Sequence, residues 1–301
     1  MKFKNILAPT DFSENAGRSV TYARDLARRL SAKLYVLHVP VIPTYVLMDS
    51  SYPTAMSRIL GDAQQAIDEL EPALATSGLD VQTALREGEV HVAIKEYAQE
   101  HDVDLLVMAT HGRTGVSKLM YGSVTDRTLK TVHVPTIVVP VTGDAAPPTS
   151  IVIAYDFSTS AKRAAEAARA IHGVFHGSLH LVHAYLDIWG EYTDRATMVG
   201  EAAEKRREAL RLGLREMLKA DAAELFSIDA QSTQTRLTTG EPVEAVLRVG
   251  EEVGATLVAA GTTGKSGIRR LLMGSFARGL LHQSKVPLLF AHSETTLFSG
   301  G

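Results

Sequence analysis

Two stretches decide the fold. The first is Ala109-Thr110-His111-Gly112, then nine residues (Arg113 to Tyr121), then Gly122-Ser123; the second is Gly261-Thr262-Thr263-Gly264, then nine residues (Lys265 to Met273), then Gly274-Ser275. Each follows an apolar run that reads as a buried strand, Asp104 to Met108 and Thr256 to Ala260. Each precedes a helix-like segment, Ser123 to Val132 and Ser275 to Ser284. A strand, a glycine-punctuated loop and a helix opening on Gly-Ser form a phosphate-binding arrangement. Glycines let the backbone turn tightly and approach a ligand, and N–H groups at the helix start, aided by the dipole, face an anion. A Ser placed at the N-cap adds a hydroxyl for the ligand or for the cap itself. One Gly-x-x-Gly is equally a tight turn; two copies of Gly/Ala-x2-Gly-x9-Gly-Ser, each at the end of a strand, point to a ligand.

Outward from these loops the chain alternates strand and helix. Phe3 to Pro9 reads as a first strand, and Ala16, Val20, Ala23, Ala27 and Leu30, three or four apart, predict a helix with one apolar face. Leu34 to Val39 is apolar enough for a strand buried on both faces. A Pro-, Ser- and Tyr-rich loop, Val41 to Thr54, leads to a helix from about Ala55 to Ser77 and a strand over Leu79 to Arg86. Gly88-Glu89 opens another helix, with Val92, Ala93 and Tyr97 on one side, and a strand over Pro135 to Val141 completes the unit. This alternation predicts an α/β fold, a doubly wound parallel sheet with helices on both faces.

Gly143 to Pro148 has linker composition, and after it the order repeats. Asp11-Phe12-Ser13 returns as Asp156-Phe157-Ser158, and His38 as His183, 145 residues later. Gly88-Glu89 returns as Gly240-Glu241, Val134-Pro135 as Val286-Pro287, and the glycine loops return, all 152 residues later. The shift of seven places an insertion within Leu186 to Ala230, a segment with the lone Trp189 and a charged helix around Glu201 to Lys219. A register held over five landmarks is an internal duplication, with domains over 1–142 and 149–295.

Composition narrows the function. With 45% hydrophobic and 22% charged residues the chain has the make-up of a soluble globular protein. A net charge of −3 leaves neither half the basic footprint of a nucleic-acid binder. There is no cysteine, hence no disulfide, thiol chemistry or Cys-ligated zinc. The chain runs from Met-Lys-Phe-Lys directly into a strand, without a signal-peptide pattern, and its most apolar region, Leu34 to Met48, is broken by His38, Pro40 and Pro43. The expectation is a cytoplasmic protein that does not engage a membrane.

In an open parallel sheet a ligand sits beyond the carboxyl ends of the strands, where strand order reverses. Asp11 and Asp156 end the first strand of each half, at that switch point. A carboxylate there can accept hydrogen bonds from ribose hydroxyls, or it can cap the next helix; the two are compatible. His38 and His183 read as satisfied core residues. His172, His176, His180 and His183 cross from a helix through Gly177-Ser178 into a strand, so they share no face for a metal. Arg113, directly after the second glycine of its loop, and Lys265 in the other loop are the cations best placed to pair with a phosphate.

These features resemble the universal stress protein family in its tandem, two-domain form, over nearly all 301 residues. The Gly-x2-Gly-x9-Gly-Ser/Thr signature of its ATP-binding members is matched in full by Gly261, Gly264, Gly274 and Ser275; in the first half Ala109 replaces the first glycine. The resemblance implies five-stranded sheets of order 3-2-1-4-5 and ATP as ligand, with or without magnesium. It implies a first site of Pro9, Thr10, Asp11, Val39, Met108, Ala109, His111, Gly112, Arg113, Gly122, Ser123 and Val124. The second would comprise Ala154, Tyr155, Asp156, Ala184, Ala260, Gly261, Thr263, Gly264, Lys265, Gly274, Ser275 and Phe276. The aspartates would lie beside the nucleoside, and the backbone after His38 and His183 would flank the adenine. Family members pair their last strand across a dimer, so one tandem chain can supply both partners; association of two such chains into a homodimer stays open.

Three functions fit: an ATP-binding regulatory module with unidentified protein partners, an interaction scaffold that binds no nucleotide, or a slow ATP hydrolase. Gly261-Thr262-Thr263-Gly264-Lys265-Ser266 lacks the Gly-x4-Gly-Lys-Ser/Thr spacing of a Walker loop. A dinucleotide dehydrogenase needs its glycine turn after the first strand, where Pro9-Thr10-Asp11-Phe12 stands. Its complete signature predicts that the second half binds ATP at least as tightly as the first, all the more if position 109 requires a positive φ.

Overall fold

Ile6, Leu7 and Ala8 are all fully buried at successive positions, so strand β1 (Asn5–Thr10) is covered on both faces, as a central parallel strand must be. The computed structural model describes residues 2–41, 52–75, 78–110, 122–143, 145–186, 201–226, 233–264 and 273–295. After β1 come helix α1 (Glu14–Leu30), β2 (Lys33–His38), α2 (Tyr52–Ala75), β3 (Val81–Leu85), α3 (Val90–Glu100), β4 (Leu105–Ala109), α4 (Ser123–Thr131) and β5 (Thr136–Val139). The second half repeats them as β6 (Ser150–Ala154), α5 (Thr159–Phe175), β7 (Ser178–Tyr185), α6 (Glu201–Phe226), β8 (Thr233–Thr239), α7 (Pro242–Glu252), β9 (Leu257–Gly261), α8 (Ser275–Gln283) and β10 (Leu288–Ala291).

Within each half the strands are parallel, in the order 3-2-1-4-5 that the resemblance implies, written β8-β7-β6-β9-β10 in the second. The two sheets join into one of ten strands through an antiparallel pairing of β5 with β10. Its register sets Ile137 opposite Leu289, residues 152 apart in sequence that hold the same place in the two halves. A local twofold therefore passes between them. Ile137, Val138 and Leu289 are fully buried, so each half covers the apolar edge of the other.

One apolar layer joins the sheet to α1 and α5 and takes in Leu74 of α2 and Leu218 and Phe226 of α6; it is continuous across the halves. The other lies under α3, α4, α7 and α8. On α3 the buried stripe is Ala93, Ile94, Tyr97 and Ala98, while Val92 is exposed. Arg18 of α1 donates to the carbonyls of Val141 (2.5 Å) and Gly143 (2.8 Å), fastening the connection between halves. Gly143 has φ +102°, and a β-carbon there would lie 2.0 Å from the Lys285 carbonyl oxygen, so only glycine passes. The helix expected around Glu201 extends to Phe226, and Trp189 lies outside the described residues. No described helix is long and apolar enough to cross a membrane.

The halves solve one joint differently. Asp104, only 6% exposed, accepts the N–H groups of Lys4 (2.7 Å) and Asn5 (3.1 Å) and ties β4 to β1. In the second half the neutral Thr256 accepts from Ser150 N–H (3.0 Å). Burial pushes the Asp104 carboxyl up to about 6, against the pull of the two N–H donors. An unfolded aspartate titrates near roughly 3.9. Between about pH 4 and 6 the native state thus holds the extra proton, and this group's contribution to stability falls as pH rises through that window.

Two outcomes follow from these joints. In urea unfolding followed from pH 4 to 7, the wild type minus Asp104→Thr difference should decline toward pH 6 and then level; a flat difference contradicts the assignment. Val138→Lys or Leu289→Lys puts an unpaired charge into the central pairing. Each should cost about 3–5 kcal/mol and enlarge the hydrodynamic radius; an unchanged radius and unfolding midpoint would disprove the role of this seam.

Candidate functional site

The order of each sheet reverses beside its first strand, between β1 and β4 and between β6 and β9, and the glycine loops leave β4 and β9 there. Thr110 N–H donates to the Val139 carbonyl (3.1 Å), and Gly122 N–H to the Thr110 carbonyl (2.8 Å), pinching the base of the first loop. Thr262 to Ala291 (3.0 Å) and Gly274 to Thr262 (2.8 Å) repeat the clamp. The caps differ from the sequence expectation. Gly122 and Gly274, with extended backbones, hold the N-cap positions of α4 and α8, and Ser123 and Ser275 are the first helical residues. Glycine has no side chain with which to cap a helix, and among the described residues no side chain accepts from the first-turn N–H groups of α4 or α8. His111, Gly112, Arg113, Lys118, Lys265, Arg269 and Arg270 lie outside the described residues.

Across from each loop stands the aspartate turn. Asp11 Oδ1 accepts Ser13 N–H and Asp156 Oδ1 accepts Ser158 N–H, both at 3.0 Å. Ser13 and Ser158 then cap α1 and α5 by accepting from Ala16 and Ala161, both at 3.2 Å. Both aspartates therefore serve the helix start, and both also line cavities. Between aspartate and serine, Phe12 (φ 60°) and Phe157 (φ 64°) take the left-handed conformation, which disfavours a residue with a β-carbon. Their rings rest on His38 (4.5 Å) and His183 (4.9 Å). Each histidine Nδ1 lies 2.7 Å from a carbonyl oxygen, of Thr10 and of Tyr155. A carbonyl only accepts, so these nitrogens carry the proton and tie the ends of neighbouring strands together.

Each turn and loop frame a cavity. The first holds about 680 Å³, between Pro9, Thr10, Asp11, Val39, Met108, Ala109, Gly122, Ser123 and Val124 and an outer wall of Ile59, Asp62, Ala63 and Ala66 from α2. The second holds about 190 Å³ and is lined by Ala154, Tyr155, Asp156, Ala184, Gly261, Thr263, Gly264, Gly274 and Phe276. Of the described candidates only Ala260 and Ser275 stay off the walls; Ala260 is buried beneath. The α2 wall escaped the sequence reading because α2 follows a loop and carries no motif. The strained phenylalanines escaped it too, although the repeated Asp-Phe-Ser triplet was their signal.

Neither Ala109 nor Gly261 has a positive φ. Gly261 is glycine for another reason: a β-carbon there would lie 2.3 Å from Ser160 Oγ and 2.9 Å from the Ala161 nitrogen, at the start of α5. Ser160 is 1% exposed and donates to the Thr263 carbonyl. Its counterpart in the first half is Asn15, which is partly exposed, and there the chain carries Ala109. The missing glycine thus reflects helix packing, and the backbone conformation accepts alanine.

A sequence profile of the universal stress protein family matches residues 2–140 and again 148–292. A universal stress protein of Methanocaldococcus jannaschii, MJ0531, is 28% identical over 139 residues, covering 46% of this chain and 82% of its own. Universal stress protein Slr1230 of Synechocystis is 23% identical over 95% of this chain and 99% of its own. Among solved structures, a universal stress protein of Archaeoglobus fulgidus superposes with a TM-score of 0.73 at 20% identity, over 97% of this chain and all of that one. A putative universal stress protein of Pseudomonas aeruginosa gives 0.62 at 16% identity, over 96% and 93%. At such identities the structures speak for the fold, while the profile covers nearly the whole chain in two successive matches: the chain belongs to the universal stress protein family and carries two of its domains in tandem.

Proposed function

We propose that this protein binds an adenine nucleotide beside its Gly-Ser loops and acts as a regulatory module whose loaded state is read by a protein partner in the cytoplasm. The observation that carries this reading is the pair of uncapped helix starts at Gly122 and Gly274, each on a cavity whose opposite wall bears an aspartate. Helix N-termini suit phosphates, and a carboxylate across the cavity suits ribose hydroxyls. Family membership supports the same ligand.

Turnover is expected to be slow or absent. Phosphoryl transfer needs a positioned base or water and concentrated positive charge. His38 and His183 are engaged with carbonyls, and Asp11 and Asp156 already hold serine N–H groups. No lysine or arginine lines either cavity among the described residues.

Calorimetric titration with ATP, with and without magnesium, should show saturable binding, and the nucleotide should be recovered unchanged after incubation. Combining Asp11→Asn with Asp156→Asn keeps an acceptor for the serine N–H groups but removes the charge; it should weaken binding about tenfold, as for one charged hydrogen bond. Absence of binding at millimolar ATP would leave the scaffold function. Hydrolysis at about 1 per second or faster would make the protein an enzyme.

A further inference from the structure

The two cavities differ more than a duplicated fold requires. The second, about 190 Å³, falls below the range of roughly 300–1,000 Å³ in which ligand pockets lie, and the first, about 680 Å³, falls inside it. Two exchanges at equivalent positions bear on this. Val124, second residue of α4, corresponds to Phe276, second residue of α8, and both line their cavities. Thr10, at the end of β1, corresponds to Tyr155, just after β6.

Tyr155 cannot swing away to make room. Its hydroxyl donates to Asp221 Oδ2 of α6 at 2.6 Å, and its ring meets Phe157 edge-on at 5.3 Å. Lys162 of α5 lies 3.7 Å from the same carboxylate and holds it in place. The outer walls differ as well. Helix α2 widens the first cavity with Ile59 and Ala63, whereas among the described residues none of α6 lines the second. Phe276, only partly buried, is thus the bulky wall that a single substitution can remove.

We propose that Phe276 closes the second half to a whole nucleotide, so that the chain binds one nucleoside triphosphate, in the first half, where Val124 leaves the space open. This rests on the nucleotide-binding reading above and reverses the ranking drawn from the signature alone. The complete signature is a poor guide to affinity here, because Gly261 answers to Ser160 on the neighbouring helix.

The test is the stoichiometry of ATP binding by the full chain. Wild type should bind one equivalent, Phe276→Val should gain a second, and Val124→Phe should lose at least tenfold in affinity for the first. Circular dichroism and thermal unfolding establish that each variant folds; if Val124→Phe does not, Phe276→Val still decides. Two equivalents on the wild type would overturn the inference while leaving the nucleotide-binding reading intact. One equivalent on a folded Phe276→Val variant would overturn the role of Phe276. No binding by any variant would remove the nucleotide-binding reading and this inference with it.

Discussion

The antiparallel pairing of β5 with β10 is the constraint from which the rest of the molecule follows. In the order 3-2-1-4-5 the last strand is an edge, and here both edges are apolar but for Thr136: Thr136-Ile137-Val138-Val139 and Leu288-Leu289-Phe290-Ala291. Such an edge must be covered or it recruits another chain. Pairing equivalent residues, Ile137 with Leu289, satisfies both edges at once and sets a local twofold. Because the seam is antiparallel, the carboxyl ends of the two sets of parallel strands face opposite ways, and so do the cavities. The seam also carries a side-chain link: His292, just after β10, lies 3.0 Å from Thr262 of the second glycine loop and bonds the Leu129 carbonyl in α4.

Within that frame the duplicated halves have kept their backbone devices and changed their side chains. The aspartate turn, the serine caps, the left-handed phenylalanine and the histidine tie recur in both halves with matching distances. A left-handed residue with a β-carbon costs roughly 1–2 kcal/mol. Its retention in both halves accords with the place it occupies, the turn that sets the aspartate on the cavity wall. What has diverged are the fillers: Asp104 against Thr256, Asn15 against Ser160, Val124 against Phe276. The first exchange changes how a joint responds to pH, and the second decides whether glycine is required beside it. The third changes how much room the site has.

Much of this was legible in the chain itself. Helical and strand periods are local, so the alternation that implies a doubly wound sheet can be read from neighbouring residues, and constant offsets of 145 and 152 expose the duplication without reference to space. The switch-point rule then placed Asp11, Asp156 and the glycine loops on one end of each sheet. Tertiary structure alone decided what depends on distant segments meeting. Gly261 is held by Ser160, about a hundred residues away in sequence, so its glycine looked like a ligand requirement until α5 was seen packed against it. The caps fell to Gly122 and Gly274 and not to the serines, because a cap is set by backbone dihedrals and not by residue preference alone. The unequal cavities were likewise invisible, since their volumes depend on α2 closing over one half and on a phenylalanine and a tethered tyrosine converging in the other. Sequence determines which residues each half contributes; close packing of remote elements determines how much space they leave.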